Sequence, residues 1–490
     1  MQSAHPFQEW IAGLDRRLYA LLIGAAIGAL GGLVGLLIAV AGPLIGVGAV
    51  IGVLAALYIL TNVSAALYGL IAVMALLPFG TFPFKIGFTP TLMDGAMGAF
   101  LLVYAFQWMT GRRRNFRLTP IHLLVLLYMA WLILSFVLGL RHARPTSADL
   151  RQFAETLLSI GMVFVLVDLL RDPASLRRVM IAVALAAGVQ ALMAIILFAM
   201  PDETAERTLI RLARVGYPNG GVIRYVEDNP ELGERAIGTW VDPNAFGGFM
   251  TVTAALIAPQ ILARKPLLGR HWPALIVLGL LALALFLSNS RASMLAFASA
   301  FAFIGLFKGY RKFWIILLLG LAAVVVLPQT QGYVERFLQV FSASDLATQM
   351  RLGEYGDAFE LIARYPITGV GFTGTPDIDI YTDVASMYLI MANQIGLVGV
   401  AVYALLMAGV AVYGWRAWHA VRDNHDLRAI HLGTFAALIA ALINATADLY
   451  FFRTDFHASI TLFWLVVALS LTSSRLALEI GPTPESTVAK

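Results

Sequence analysis

Residues 351–372 read RLGEYGDAFELIARYPITGVGF, and after a polar loop residues 383–399 read DVASMYLIMANQIGLVG. This stretch carries charges, Gly-rich turns and aromatic residues late in a chain that is otherwise almost entirely apolar. Long apolar proteins usually keep the connections between their helices short. A long connection that carries charges, Gly-rich turns and aromatic residues therefore indicates where chemistry or recognition takes place. We expect membrane helices on either side of it.

The composition predicts an all-α polytopic membrane protein. Of the 490 residues, 60% are hydrophobic and only 13% are charged, whereas a soluble domain has about 25% charged residues. The net charge of +5 comes from short loops between apolar runs and does not suggest nucleic-acid binding. Because the chain has no cysteine, disulfides and thiolate metal sites are excluded. The first apolar run follows Arg16 and Arg17 and is too long for a cleaved signal, so we expect it to remain as the first span.

Hydropathy predicts the positions of the spans. A transmembrane helix needs about 20 apolar residues, and on that basis the sequence predicts about fourteen spans. With that number, every cluster of Lys and Arg between spans falls on one side together with both termini, and the positive-inside rule makes that side the cytoplasm. The spans centre on residues 18–40, 43–61, 64–80, 88–108, 120–140, 152–170, 176–200, 238–262, 273–289, 291–308, 313–329, 385–414, 429–449 and 457–474.

The long loops on the other side define the expected organisation. In the loop at 330–384, apolar residues at helical spacing predict amphipathic helices over 332–349 and 350–363, which lie on the outer leaflet or cap the bundle. The segments are N-terminal helices at 1–200, a periplasmic loop at 201–237, helices at 238–329, the large periplasmic loop at 330–384, C-terminal helices at 385–475 and a cytoplasmic tail at 476–490.

Three arginines are predicted to lie at the periplasmic membrane face. Arg235 precedes a span, Arg291 lies where one span ends and the next begins, and Arg351 starts the second amphipathic helix. A guanidinium near the bilayer is costly unless an anion pairs with it, and its planar fork matches a phosphate with two parallel hydrogen bonds. We therefore expect a phosphate or diphosphate site, with snorkelling or pairing to acids such as Glu234 or Glu354 as the alternative.

Two acidic side chains are candidates for general acid–base work. Glu354 lies one turn from Arg351, so a helical ion pair is the alternative to a catalytic role. Asp383 lies just before the span that starts near 385, where it either caps that helix or accepts a proton as a general base.

Three further polar residues are candidates for substrate binding. Asp242 and Asn244 flank Pro243 at the start of a span, where capping of the helix is the alternative role for Asp242. Tyr388 continues the span after the large loop, where packing against neighbouring helices is the alternative. The sequence has no Gly-rich nucleotide loop, no nucleophile elbow and no zinc signature, so neither a metal nor a cofactor is expected.

Four segments together resemble the O-antigen ligase and Wzy-type polymerase superfamily. They are RAIGTWVDPNAFG at 235–247, SNSRASMLA at 288–296, RLGEYGDAFELIARYPITGVG at 351–371 and YLIMANQIGLVG at 388–399. They match, in the family's order, its Arg-x-x-Gly to Pro-Asn stretch, its Ser-Arg motif, its Arg to Pro-(Leu/Ile)-x-Gly-x-Gly helix and the span after its large loop. The resemblance covers about 235–475. It departs from the ligase pattern His-Asn-x-Tyr-Leu, because alignment on Tyr388 places the ligase's histidine base on Ala385.

The resemblance implies transfer of a glycan from an undecaprenyl diphosphate carrier to a sugar hydroxyl at the periplasmic face of the bacterial inner membrane. It implies a metal-independent, inverting glycosyltransferase that polymerises lipid-linked repeat units, in membrane lipid, with a flippase and a chain-length regulator as possible partners. The arginines would bind the diphosphate, and a carboxylate would take the proton. Two alternatives stay open: a ligase that moves glycan onto lipid A core, and a flippase for the lipid-linked oligosaccharide.

Overall fold

The computed structural model describes residues 32, 58–85, 87–327, 331–332, 346–374 and 384–480. Contacts divide the chain into a unit of residues 1–66 and a unit of residues 67–490. All the sites described here belong to the second unit. The fold is helical, with 72% helix and 2% strand, which confirms the all-α membrane class. The first two predicted spans and most of the predicted helix at 332–349 lie outside the described residues.

Twelve α-helices of the described segments coincide with apolar runs of the sequence, and two, at 202–210 and 346–364, carry more polar residues. In chain order they are α1 (Val63–Leu76), α2 (Leu92–Met109), α3 (His122–Gly139), α4 (Ser147–Leu169), α5 (Pro173–Ala199), α6 (Asp202–Ile210), α7 (Pro243–Ile257), α8 (His271–Leu287), α9 (Arg291–Gly305), α10 (Lys312–Val326), α11 (Leu346–Arg364), α12 (Met387–Val421), α13 (Arg428–Asn444) and α14 (His457–Ile480).

Seven helices of the described segments are long and apolar enough to cross a membrane, and five shorter apolar helices accompany them. Each of these twelve overlaps one of the spans predicted from residue 64 onward. The number of membrane crossings itself stays a prediction, because five of the helices are shorter than the usual crossing length. The amphipathic helix predicted at 350–363 is α11, which ends at Arg364 as the Pro366 signal indicates.

Several helix ends differ from the sequence prediction, among them the ends of α13 and α14. The span expected at 429–449 ends at Asn444 and is followed by a non-helical connection, residues 445–456. The last helix continues to Ile480 instead of ending near 474. It continues because Arg475 is held inside the protein, where its guanidinium donates to the carbonyl of Leu170 at 2.8 Å and pairs with Glu479 at 2.8 Å.

The centre of the bundle is formed by α7 and α14. The apolar window of α14 is 100% buried and that of α7, with the 3₁₀ turn after it, is 89% buried, whereas α3 is 39% buried. Helix α13 packs against both central helices and against α9, and α14 also packs against α4 and α12. The start of α7, the start of α9 and the end of α13 are therefore held together by the most buried part of the fold.

Helix α12 is broken, and the Pro-Ile-Thr-Gly-Val-Gly segment at 366–371 fills the break. Gly396 has φ +68°, which interrupts the helical hydrogen bonds of α12. The carbonyls of Asn393 and Gln394 accept instead from the N–H groups of Val370 at 2.8 Å and Gly371 at 2.9 Å. The Leu397 N–H donates to the Pro366 carbonyl at 2.8 Å. Backbone polar groups freed inside an apolar bundle are thus satisfied by a second backbone segment.

This docking also explains the glycines of the segment. Gly369 has φ +64°, and a Cβ there would lie 2.4 Å from the Asn393 carbonyl oxygen. A Cβ on Gly371 would lie 2.6 Å from the Cα of Gly139 in α3. Only glycine allows the backbones to approach so closely, so the end of α11 is fixed to α12 and α3 by main-chain contacts.

Candidate functional site

Arg235, Arg291 and Arg351 line one cavity of about 300 Å³. The first precedes α7, the second is the first residue of α9, and the third belongs to α11. All three are half-buried. Their meeting in one cavity is the geometry that the sequence led us to expect, although their role as diphosphate ligands stays a proposal. Asp242 and Asn244, two of the candidate substrate-binding residues, line the same cavity.

A fourth arginine joins them through a short β-ribbon. Strands β1 (Arg224–Tyr225) and β2 (Glu234–Arg235) pair antiparallel, with Arg224 directly opposite Arg235. Like charges directly opposite each other in an antiparallel pair are destabilising. Both arginines face the same cavity, so an anion between them would relieve their repulsion.

Acidic side chains keep the cavity from being uniformly basic. Its lining contains Asp242, Glu227 and Asp228 besides the four arginines, so the formal charge is four minus three, or +1. Glu227 and Asp228 both have left-handed backbone, with φ 52° and 54°, which non-glycine residues seldom adopt. The cavity therefore offers cationic donors together with carboxylate acceptors, the combination that a phosphorylated sugar requires.

The wall at the start of α7 is tightly built. The Oδ1 atom of Asp242 accepts from the N–H groups of Asn244 at 2.8 Å and Ala245 at 2.9 Å, so Asp242 is the N-cap of the helix. Its capping role, expected as the alternative, is present and leaves the side chain at the cavity wall. The Nη2 atom of Arg235 donates to the Asn244 side-chain oxygen at 2.6 Å, while its Nε donates to the Ser288 carbonyl at 2.9 Å.

Backbone strain lies beside these contacts. Val241, a β-branched residue, has φ +61°, which is an outlier for its type. The Nε of Arg224 donates to the Val241 carbonyl at 3.2 Å. Such strain persists only where the surroundings impose it, so the contact from Arg224 and the N-cap that follows hold this turn against the cavity.

The start of α9 is joined to α7 and α13 by small polar residues. Ser290 donates to Ser293 at 2.9 Å, and the Asn444 amide donates to the same Ser293 hydroxyl at 2.9 Å. A Cβ on Gly247 would lie 2.9 Å from the Ser293 hydroxyl, so glycine is what lets α7 approach α9. This network positions Arg291, which directly follows Ser290.

Asp448 lies in the connection between α13 and α14, buried close to the cavity wall. Asn444 donates to its carboxyl at 3.1 Å. Burial raises the pKa of Asp448 to about 7, while the charge of Arg351 lowers it and that of Asp242 raises it. A carboxyl group that titrates near neutral pH and faces two of the cavity's charged residues is suited to accept a proton.

The same aspartate lies next to the position where the ligase pattern has its histidine. The Met387 N–H, two residues after Ala385, donates to the Asp448 carbonyl at 2.9 Å. The hydroxyl of Tyr450, in the same connection, has its pKa raised by burial and by the charges of Asp242 and Asp448. The backbone of the connection between α13 and α14 therefore contacts the chain two residues after the position of the missing histidine.

The remaining predicted residues have other positions. Glu354 accepts the Ala385 N–H at 3.0 Å through Oε2, which ties α11 to the chain segment before α12. The Tyr388 hydroxyl donates to the Leu442 carbonyl at 2.8 Å, a contact between α12 and α13. Neither is part of the cavity lining. Asp383 lies outside the described residues.

Sequence reasoning missed Arg224 and Asp448. Arg224 belongs to a mixed-charge loop with little local pattern, and only its pairing with β2 gives it a place at the cavity. Asp448 lies inside the predicted apolar span 429–449, so it was not singled out from the sequence. An acidic residue inside a predicted span is itself a signal of function, and that signal could have found Asp448.

Residues 276–404 match the family model described as O-antigen ligase. The match confirms the resemblance to the O-antigen ligase and Wzy-type polymerase superfamily drawn from the four sequence segments. It spans α8 to the first half of α12 and so contains Arg291, Arg351, Glu354 and the docked 366–371 segment. No curated protein matches the chain. A membrane-embedded, glycan-processing role is thereby supported, with lipid-linked glycans as the class of substrate that the family implies.

Proposed function

We propose that this protein polymerises undecaprenyl-diphosphate-linked oligosaccharide repeat units at the periplasmic face of the bacterial inner membrane, with both termini in the cytoplasm. The observation that carries the proposal is the convergence of Arg235, Arg291 and Arg351, with Arg224, on one cavity of about 300 Å³. Four guanidinium groups, two from the β-ribbon and one each from α9 and α11, support an anion site, and the leaving group of this reaction is a diphosphate.

The arginines would act on the donor. Each guanidinium can donate two parallel hydrogen bonds to phosphate oxygens. Negative charge grows on the diphosphate as its bond to the anomeric carbon breaks, so fixed cations stabilise the transition state more than the ground state. Arg235 is preorganised for this role by its bonds to Ser288 and Asn244. Nucleotide and metal are both unnecessary in this scheme, because the donor is already activated.

Asp448 would act on the acceptor. The hydroxyl oxygen of the acceptor sugar attacks the anomeric carbon, the bond from that carbon to the diphosphate oxygen breaks, and the hydroxyl proton passes to the Asp448 carboxylate. Direct displacement of this kind inverts the anomeric centre. We prefer Asp448 to Glu354 as the base because burial raises the pKa of the Asp448 carboxyl to about 7, close to the pH at which a general base works best. Glu227 and Asp228 in the cavity wall are placed to accept from sugar hydroxyls.

Polymerisation is preferred to ligation because the histidine of the ligase pattern is replaced by Ala385. In a polymerase both substrates carry the same lipid diphosphate. We expect a flippase to deliver these substrates and a chain-length regulator to act with the enzyme, since the donor must reach the periplasmic leaflet before it reacts.

The test is reconstitution of purified protein in liposomes with purified lipid-linked repeat units. Arg291→Ala should abolish polymer formation while the protein remains inserted and monodisperse. Arg311→Ala is the matched control, because Arg311 also stands at the start of a helix but is exposed. Normal chain length and yield in Arg291→Ala would refute the arginine site.

The products distinguish the alternatives. Polymer formed from the repeat unit alone supports a polymerase, and transfer only when lipid A core is added supports a ligase. Movement of a fluorescent lipid-linked oligosaccharide across the bilayer without any new glycosidic bond would replace the enzyme proposal by a flippase.

A further inference from the structure

Three side chains of metal-ligand type from three helices come together. Asp94 lies in the first turn of α2, Glu155 lies in α4, and His457 is the first residue of α14. One donor atom from each lies within 4.8 Å of the other two. This group could not be predicted from the sequence, because its members are separated by about 60 and about 300 residues and follow no ligand spacing. We refer to them as the Asp94–Glu155–His457 cluster.

The histidine of the cluster lacks a hydrogen-bond partner. His457 is 6% exposed, and neither of its ring nitrogens makes a hydrogen bond within the part of the chain that the structure describes. Its Nδ1 lies 3.4 Å from Oε2 of Glu155, which is close enough for an ionic contact but not oriented as a hydrogen bond. A buried polar atom without a partner is destabilising, so this imidazole is expected to bind something.

Arg151 binds the cluster from the side away from the histidine. Its Nη1 donates to Oε1 of Glu155 at 2.5 Å and to Oδ2 of Asp94 at 3.3 Å. The Oε2 atom of Glu155 is left facing His457. Carboxylates that ligate a metal are commonly held by a hydrogen bond to their outer oxygen. Arg151 therefore occupies the position of an outer partner of Glu155, whose other carboxylate oxygen faces His457.

The charge of the cluster also favours a cation. Two carboxylates and one guanidinium leave a formal charge of −1 beside an imidazole, in a place where Glu155 is only 4% exposed. The side chain of Asp94 retains 20% exposure, which gives a small ion access. One imidazole nitrogen with two carboxylate oxygens is a donor set for Zn²⁺ and neighbouring first-row ions, whereas Mg²⁺ and Ca²⁺ prefer oxygen alone.

We propose that Asp94, Glu155 and His457 bind one divalent first-row transition-metal ion. The ion would join the N-terminal ends of α2 and α14 to α4 and would complete its coordination with water. The ion takes no part in the transfer reaction proposed above, so the two proposals can be tested independently. Its role is structural: it would fix the first residue of α14 and with it the end of the 445–456 connection.

The test uses the full-length protein in detergent, stripped with EDTA and then titrated with Co²⁺ and with Zn²⁺. Wild type should bind about one ion per chain, with the visible absorption of Co²⁺ held by mixed nitrogen and oxygen ligands, and Zn²⁺ should raise its melting temperature. His457→Gln and Glu155→Gln should lose the absorption and the shift. His271→Gln is the matched control, because His271 is also the first residue of a helix but is exposed.

A cysteine replacement keeps the proposal testable if those variants fold poorly. The chain has no cysteine, so His457→Cys introduces a single thiol and should shift the preference toward the softer Cd²⁺, with a new thiolate-to-metal absorption band. Absence of stoichiometric binding by wild type would overturn the proposal. Equal Zn²⁺ stabilisation of wild type and His457→Gln would overturn it too, because the ion would then bind elsewhere.

Discussion

Replacing Asp448 by Asn should make the protein more stable and less active, and the structure gives the size of the first effect. Burial raises the pKa of Asp448 from the ordinary 3.8 to about 7. In the unfolded chain the group ionises near 3.8, so between pH 4 and 7 the folded state holds a proton that the unfolded state releases. Stability therefore falls as pH rises through this window. This rise in the pKa of Asp448 corresponds to about 4 kcal/mol of unfolding free energy, and all of it is lost above pH 7.

The asparagine variant lacks this pH-dependent loss. Its melting temperature in detergent should exceed that of wild type at pH 8 and approach it near pH 4. Asp455→Asn is the matched control, because it removes the same charge from the same connection at an exposed site. A wild-type melting temperature that does not fall between pH 5 and 8 relative to Asp448→Asn would contradict the burial argument.

The effect on activity follows from the proposed base. Loss of a general base reduces rate by about 10²–10⁴. Polymerisation by wild type should increase as pH rises toward 7 and then level off, because the ionised carboxylate is the form that accepts the proton. Polymerisation by Asp448→Asn within about tenfold of wild type would exclude Asp448 as the base. The stability and activity outcomes are separate, so the first could hold while the second fails.

Three further predictions concern the cavity and its supports. Arg291→Lys keeps the charge but loses the fork, and the loss of one charge-assisted hydrogen bond of about 1.5–3 kcal/mol should lower kcat/KM for the donor about 10- to 100-fold. Gly396→Ala should destabilise by at least about 1–3 kcal/mol, since φ is +68° and the Cβ would lie 2.1 Å from the Ile367 carbonyl oxygen. Gly353→Ala, in open space within α11, should be neutral or stabilising in the same melting assay. Asn444→Leu removes the buried amide that donates to Ser293 and to Asp448, and it should lower stability by about 1–3 kcal/mol in thermal unfolding.

The helices could be predicted because hydropathy alone fixes where an apolar chain crosses or packs. Their ends could not, because they depend on partners elsewhere. Helix α14 extends beyond its predicted end because Arg475 finds the carbonyl of Leu170, some 300 residues earlier. Helix α13 ends before its predicted end, and Asn444 there turns to the Ser293 hydroxyl. No window of local sequence contains either contact.

The arginines could be predicted because their charge is conspicuous at an apolar face. The positive-inside rule predicted the same membrane surface for Arg235, Arg291 and Arg351. A shared ligand was the simplest reason for three costly charged groups there. Arg224 and Asp448 are also charged, but their neighbours in the sequence make the charge less conspicuous. One lies among many charges in a loop, and the other lies beside alanines that extend an apolar window.

The Gly-rich segment has a structural reason that its sequence did not reveal. Arg351 lies on α11, a helix that leaves only limited apolar surface to hold it, since residues such as Leu352 and Phe359 are exposed. Two other contacts anchor that helix: the 366–371 backbone enters the break in α12, and Glu354 binds the Ala385 N–H. A cation that stabilises developing charge must be held in place before the reaction begins. The broken helix and the glycines therefore hold in place the helix that carries Arg351. This explains why a motif without a reactive side chain accompanies the arginine in the sequence.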